Sequence, residues 1–128
     1  AEPRCLVMSH SGRSLHYSID GAPASSVAFQ QAIATVPSAA AAQARSRGLE
    51  SGALASMFAG HALSILVGLP LLVTSKSWEQ AAAGGTLMAA FPLSFVALAN
   101  LVEASGRAER QAIDRVNVAA RDSGHCPP

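Results

Sequence analysis

A single histidine, His61, is the only ionisable side chain in residues 51–75, a run of 25 residues without Asp, Glu, Lys or Arg. An ionisable residue inside a transmembrane helix is costly unless its polar atoms are paired, so it indicates a functional site. A neutral imidazole can serve as an axial ligand of chlorophyll magnesium or haem iron. Gly60 is predicted to leave room beside it for a flat macrocycle. The alternatives are a structural histidine bonded to a backbone carbonyl, a serine or a neighbouring subunit, and a proton relay.

Counting back from the loop between the two apolar runs places His61 at about the depth of Phe95 in the second run, one residue from Ser94. Small residues also recur at every fourth position of the first run. They are Gly52, Ser56, Gly60, Ser64 and Gly68. Small side chains let helix backbones approach closely in lipid, where close packing drives helix association.

This row predicts a helix-packing face, either for the second run or for a helix of a larger complex. The second run offers matching positions at the same spacing, namely Ala82, Thr86, Ala90 and Ser94. The alternative is chance recurrence in a chain rich in Ala, Gly and Ser.

Catalytic motifs are absent from the sequence. It has no glycine-rich phosphate loop after a strand, no GxSxG, no histidine pair at i and i+4, and no carboxylate pair within an apolar run. We therefore expect a non-enzyme without a small-molecule substrate or a metal site. His10 and His16 are interpreted as surface histidines. The net charge of +1 gives no basic footprint for nucleic acid.

Two cysteines, Cys5 and Cys126, lie near opposite ends of the chain, without a CxxC motif or metal-ligand spacing. Two free thiols are the favoured interpretation. One alternative is a disulfide that joins the termini, which needs both ends in an oxidising compartment. The other is a metal site that includes His125.

The elements that must position these residues follow from the charge pattern. Residues 51–75 and 81–102 each exceed the roughly 18–20 residues that a helix needs to cross a hydrocarbon core. The five-residue loop 76–80 makes the helices antiparallel neighbours, and its Trp78 suits the headgroup boundary. Only 13% of the residues are charged, about half the usual share. The alternative to two transmembrane helices is a soluble protein that buries the same hairpin in its core.

The flanking segments are predicted to lie outside the membrane. Residues 1–50 are expected to form an irregular arm or a small β-hairpin followed by short helices, with a break at Pro37. Residues 103–128 are expected to form a surface helix and a loose tail. Pro70 and Pro92 are predicted to weaken backbone bonding and kink the membrane helices. The predicted fold class is all-α: an integral membrane hairpin of two transmembrane helices.

Arginines set the predicted orientation. Arg45, Arg47, Arg107 and Arg110 flank the outer ends of the hairpin, whereas Lys76 is the only basic residue of the loop. The positive-inside rule therefore places both termini on the stroma, matrix or cytoplasm side, in a thylakoid or mitochondrial inner membrane. A disulfide between the termini would contradict this orientation, because that side is usually reducing.

Together these features predict a small accessory subunit of a multi-subunit bioenergetic membrane complex. The subunit would pack between larger subunits and lipid, with one chlorophyll on His61, and a photosystem is favoured over a respiratory complex. Two alternatives stay open. One is a haem-holding membrane anchor of a dehydrogenase, and the other is a self-assembling channel or holin-like protein.

Overall fold

The computed structural model describes residues 2–127, and the chain divides into two compact units. The terminal unit comprises the chain up to Arg47 together with the chain from Gly106 onward, and the hairpin unit is Gly48–Ser105. In chain order the elements are β1 (Leu6–Ser11), β2 (Ser14–Ile19), β3 (Ala22–Ala24), α1 (Ser26–Ala34), α2 (Pro37–Ala62), a π-helical segment (Leu63–Gly68), α3 (Leu69–Val73), α4 (Trp78–Met88) and α5 (Ala90–Asp122).

The N-terminal arm forms a three-stranded antiparallel sheet in the order β1–β2–β3. The turn between β2 and β3 consists of Asp20 and Gly21, both at positive φ (52° and 81°). A two-residue hairpin turn with both residues in this region matches the right-handed twist of its strands. The arm is therefore larger than the irregular stretch or hairpin that the sequence predicts, because this turn adds a third strand.

The core of the terminal unit lies between one face of the sheet and helical segments. Phe29 of α1 is 1% exposed, and its ring centroid lies 4.8 Å from that of Tyr17 on β2. The other buried core residues are Leu6, Ala32, Ile33, Ala39, Ala42, Ala112, Ile113 and Val116. Ser25 caps α1 by accepting a hydrogen bond from the Ala28 N–H, one of the donors left free at a helix start.

Both ends of the chain are fastened within the terminal unit. Cys5 and Cys126 form a disulfide, so the favoured interpretation of two free thiols is wrong. The side chain of Asn117 accepts a hydrogen bond from the Leu6 N–H (2.7 Å) and donates one to the Leu6 carbonyl (2.8 Å), as a neighbouring strand would. Within the described residues, the tail after α5 is therefore held at Cys126, whereas the sequence predicts a loose segment.

Two long apolar helices, Pro37–Val73 and Trp78–Asp122, pack as a hairpin. Pro37 is the first residue of α2, so the short helix predicted after it is continuous with the apolar helix. A π-helical segment precedes Pro70, and the second helix is interrupted at Ala89, just before Pro92. A proline has no N–H for the carbonyl four residues earlier, which explains why both irregularities lie on the N-terminal side of a proline.

Burial in the hairpin unit is the reverse of burial in a soluble core. The buried positions carry small residues, namely Ala53, Gly60, Ser64, Gly68, Gly84, Ser94 and Ser105. Large apolar side chains point outward, and Leu66 and Val73 are more than 70% exposed. Of the most apolar 18-residue window of each long helix, only 17% and 6% is buried. Both helices are long and apolar enough to cross a membrane.

Candidate functional site

The two long helices of the hairpin come into close contact at Gly60. A Cβ added there would sit 2.9 Å from the Ala90 carbonyl oxygen and 3.0 Å from Ser94 Oγ. The missing side chain therefore permits contact between the helices. The prediction that Gly60 leaves room for a macrocycle is wrong, because the second helix occupies that space.

A second close contact between the two long helices is formed by Gly68 and Gly84. A Cβ on Gly68 would lie 3.1 Å from Leu87 Cβ, and one on Gly84 would lie 2.6 Å from the Leu72 backbone nitrogen. The predicted row of small residues therefore divides: Gly60, Ser64 and Gly68 face the second helix, whereas a Cβ on Gly52 would meet no atom within 4 Å. Ser56, the remaining member, is partly buried.

The contact positions of the second helix differ from the predicted four-residue row. Gly84 is buried, while Thr86 is exposed and donates to the Ala82 carbonyl of its own helix (2.9 Å). Gly84 and Ser94 both lie in the interface between the two long helices, called the seam below, and their ten-residue separation matches alternating steps of three and four residues on one helix face. A fixed four-residue count could not have found Gly84.

Serine hydroxyls satisfy hydrogen bonding inside this seam. Ser64 is fully buried, and its Oγ donates to the Leu87 carbonyl of the opposite helix at 3.1 Å. Ser94 Oγ donates to the Phe91 carbonyl at 2.6 Å. No buried side-chain nitrogen or oxygen lacks a partner between residues 2 and 127. The seam is thus closely packed and internally bonded, which suits a medium without water.

His61 lies beside this seam and contacts two aromatic rings. Its Nδ1 is 2.7 Å from the Met57 carbonyl oxygen, one helical turn earlier. The imidazole centroid lies 4.6 Å from that of Phe91 and 5.2 Å from that of Phe95. The depth match between His61 and Phe95 is confirmed. The contact with Phe91 was not predicted, although its i, i+4 spacing from Phe95 places both on one helix face.

The two histidines of the N-terminal sheet do not lie together. His10 pairs with Leu15 and His16 with Ser9, so the two histidines project from opposite faces of the sheet. Residues 2–127 hold no group of three or more His, Cys, Asp or Glu side chains placed to bind a metal ion.

Asp20 has a structural role in this unit. The Cys5 N–H donates to its carboxylate at 2.8 Å and lowers its pKa, and the Arg4 guanidinium, also at 2.8 Å, lowers it further. The Asp20 N–H in turn donates to the Cys5 carbonyl at 2.8 Å. This reciprocal pairing fixes the backbone at one end of the disulfide.

No protein-family model, curated protein or solved structure matches this chain. Its function is therefore inferred from the chemistry of the hairpin and of the disulfide-linked terminal unit.

Proposed function

We propose that the chain is a two-pass integral membrane protein that acts as a structural, non-catalytic subunit of a larger membrane complex. The observation that carries this proposal is the reversed burial of the hairpin unit, with Gly and Ser inside and Leu, Phe and Val outside. In water, exposed aliphatic surface costs roughly 25 cal/mol per Å². In lipid that cost vanishes, and small residues at the seam give the close backbone contact that holds membrane helices together.

The length of the apolar helices supports the same assignment. Residues 51–73 of the first helix rise about 34 Å at 1.5 Å per residue, close to the roughly 30 Å thickness of a hydrocarbon core. Trp78, 80% exposed at the start of α4, lies where the charge-free segment ends, beside Lys76 and Glu79. An indole at this position fits the headgroup boundary.

Two uncovered features of the hairpin favour a larger complex over a lone hairpin. Gly52 has open space where a neighbouring helix could approach, and Ser56 beyond it is only partly buried. Asn100 exposes its amide inside the charge-free segment. Amides in transmembrane helices usually bond across helix interfaces, so Asn100 is suited to a donor and acceptor pair on another subunit. A bioenergetic complex, photosynthetic in preference to respiratory, stays a prediction from the sequence.

Membrane extraction tests the first part of this proposal. We expect the chain to stay in the membrane pellet after alkaline carbonate washing and to need detergent for purification. A freely soluble, monodisperse protein without detergent would overturn it.

Native gel size and co-purifying chains test the second part. After gentle detergent extraction from its native membrane, the chain should run in a complex with other membrane proteins. Asn100→Leu should release the chain from that complex, whereas Leu66→Ala, at an outward apolar position, should leave it in place. A chain that runs as a single copy in one micelle would contradict the structural-subunit role.

Two features of the chain disagree about which side of the membrane the termini occupy. Arginines outside the hairpin favour the cytosolic type of compartment for the termini. The Cys5–Cys126 disulfide favours an oxidising compartment, because reducing compartments keep thiols free. We give the disulfide more weight, since the arginine bias rests on few charges, and we infer that both termini face the periplasm, a lumen or an equivalent oxidising space.

Thiol labelling decides between these orientations. Arg13→Cys in the β1–β2 turn and Lys76→Cys in the hairpin loop each add one free thiol while the native disulfide stays unreactive. In sealed cells or vesicles, a membrane-impermeant maleimide should label Arg13→Cys from the oxidising side only and Lys76→Cys from the reducing side only. The reverse pattern would restore the orientation that the arginines predict.

A further inference from the structure

We propose that His61 is the axial ligand, through Nε2, of a metallated tetrapyrrole held on the exposed side of the hairpin. This inference rests on the proposed membrane function and adds a ligand class to it. Such a ligand requires a tetrapyrrole whose metal ion has an open axial position, such as haem iron or chlorophyll magnesium. Three features carry it: the depth of His61, the proton position on its ring, and the aromatic frame around it.

His61 is far from either end of the charge-free segment. It lies 10 residues from Ser51 and 12 from Val73, or about 15 and 18 Å along a helix that rises 1.5 Å per residue. At such a depth, water does not compensate for an unpaired polar atom. A charged imidazolium is costly at such a depth as well.

The hydrogen bond to Met57 fixes the tautomer that an uncharged imidazole takes at this position. A carbonyl oxygen only accepts hydrogen bonds, so Nδ1, 2.7 Å from it, carries the proton. Nε2 is then left with a lone pair. Nε2 has no hydrogen-bond partner among residues 2–127, and the imidazole is partly exposed. A lone pair in that state needs an electron-pair acceptor from outside the chain.

This arrangement is the one that metal-bound histidines usually adopt. A ligating imidazole typically donates its second N–H to a backbone carbonyl or carboxylate, which fixes the ring and raises the basicity of the other nitrogen. Neutral imidazole is also the ligand form that haem iron takes in many proteins. The Met57 carbonyl therefore prepares Nε2 for a metal.

Aromatic contacts further restrict the imidazole. Phe91 and Phe95 lie within 5.2 Å of its centroid, and their own centroids are 5.4 Å apart in an edge-to-face arrangement. Rings packed in this way limit rotation about the side-chain bonds of His61, so less freedom is lost on coordination. They also add apolar surface suited to a flat macrocycle.

The test uses the full chain purified in mild detergent and titrated separately with haemin and with chlorophyll a. With the matching tetrapyrrole we expect a stoichiometric complex with a shifted absorption band. His61→Leu should weaken binding by at least about tenfold. Added imidazole should restore the band shift with His61→Ala. His16→Leu, which changes an exposed histidine on β2, is the matched control and should bind as the unaltered chain does.

Several results would overturn this inference. One is the absence of any band shift with both probes, and another is equal binding by His61→Leu. A third is loss of co-purifying subunits from His61→Leu without any pigment in the native complex, since Nε2 would then accept a hydrogen bond from a partner protein. Because alkaline extraction and native size do not depend on pigment, a failed titration leaves the membrane assignment intact, whereas a soluble chain removes both.

Discussion

The contact between Gly84 and the first helix gives the sharpest test of the hairpin seam. In Gly84→Ala the new Cβ would meet the Leu72 backbone nitrogen at 2.6 Å and the Leu72 Cα at 3.0 Å. These are backbone atoms, so no side-chain rotation relieves the overlap. To reach ordinary contact the helices must separate locally by about 0.8 Å, an overpacking strain that typically costs about 1–3 kcal/mol.

The neighbouring glycine provides a matched control. Gly85 lies one residue further along α4, and a Cβ added there meets no atom within 4 Å. Alanine raises helix propensity at both positions by about 0.5–1 kcal/mol, so this gain cancels when the two variants are compared. We therefore expect Gly84→Ala to be less stable than Gly85→Ala by about 1–3 kcal/mol.

Unfolding from mild detergent into SDS measures that difference. Helical circular dichroism reports secondary structure, and fluorescence of Trp78, the single tryptophan, reports the loop end of the hairpin. The transition of Gly84→Ala should come at a lower SDS fraction than that of Gly85→Ala. Coincident transitions for the two variants would refute the reasoning, because they would mean that the helices do not touch at Gly84.

Three further predictions concern the terminal unit. Cys5→Ser should lower its free energy of unfolding by about 2–5 kcal/mol in denaturant titrations, because the disulfide closes a loop across 121 positions; an unchanged midpoint would show that the bond is not formed. Asn117→Leu should cost about 1–3 kcal/mol by leaving the Leu6 N–H and carbonyl unpaired, and hydrogen exchange at Leu6 should accelerate. Because the pKa of Asp20 is lowered in the folded state, its contribution to stability is complete above the ordinary aspartate pKa and is lost as the pH falls through the lowered value. Asp20→Asn should therefore flatten the acid limb of a stability-against-pH curve, and an unchanged limb would contradict the role of this carboxylate.

Several elements could be predicted from local sequence because their causes are local. Two long runs without charge produce two long apolar helices, and a short connection makes them antiparallel neighbours, although it spans residues 74–77 and not the predicted 76–80. Pro70 and Pro92 mark where the helices become irregular, since a missing N–H disturbs the turn before it. The depth match of His61 and Phe95 follows from helical rise alone.

Other features required the folded chain. Gly84 is buried in the seam whereas Thr86 is exposed, so the predicted four-residue row included one position that faces away from the first helix and omitted one that contacts it. The same close approach fills the space beside Gly60 that the sequence assigned to a ligand.

The sequence by itself determined which segments can leave water, because transfer to lipid depends on the summed polarity of consecutive residues. Only the tertiary structure decided which residues meet across the chain. It brought Cys5 to Cys126 and Asn117 to Leu6, pairs more than 100 positions apart. It also left Nε2 of His61 without a partner in the described chain. Such pairings depend on where separate elements come together, and residue spacing along one element carries no record of that.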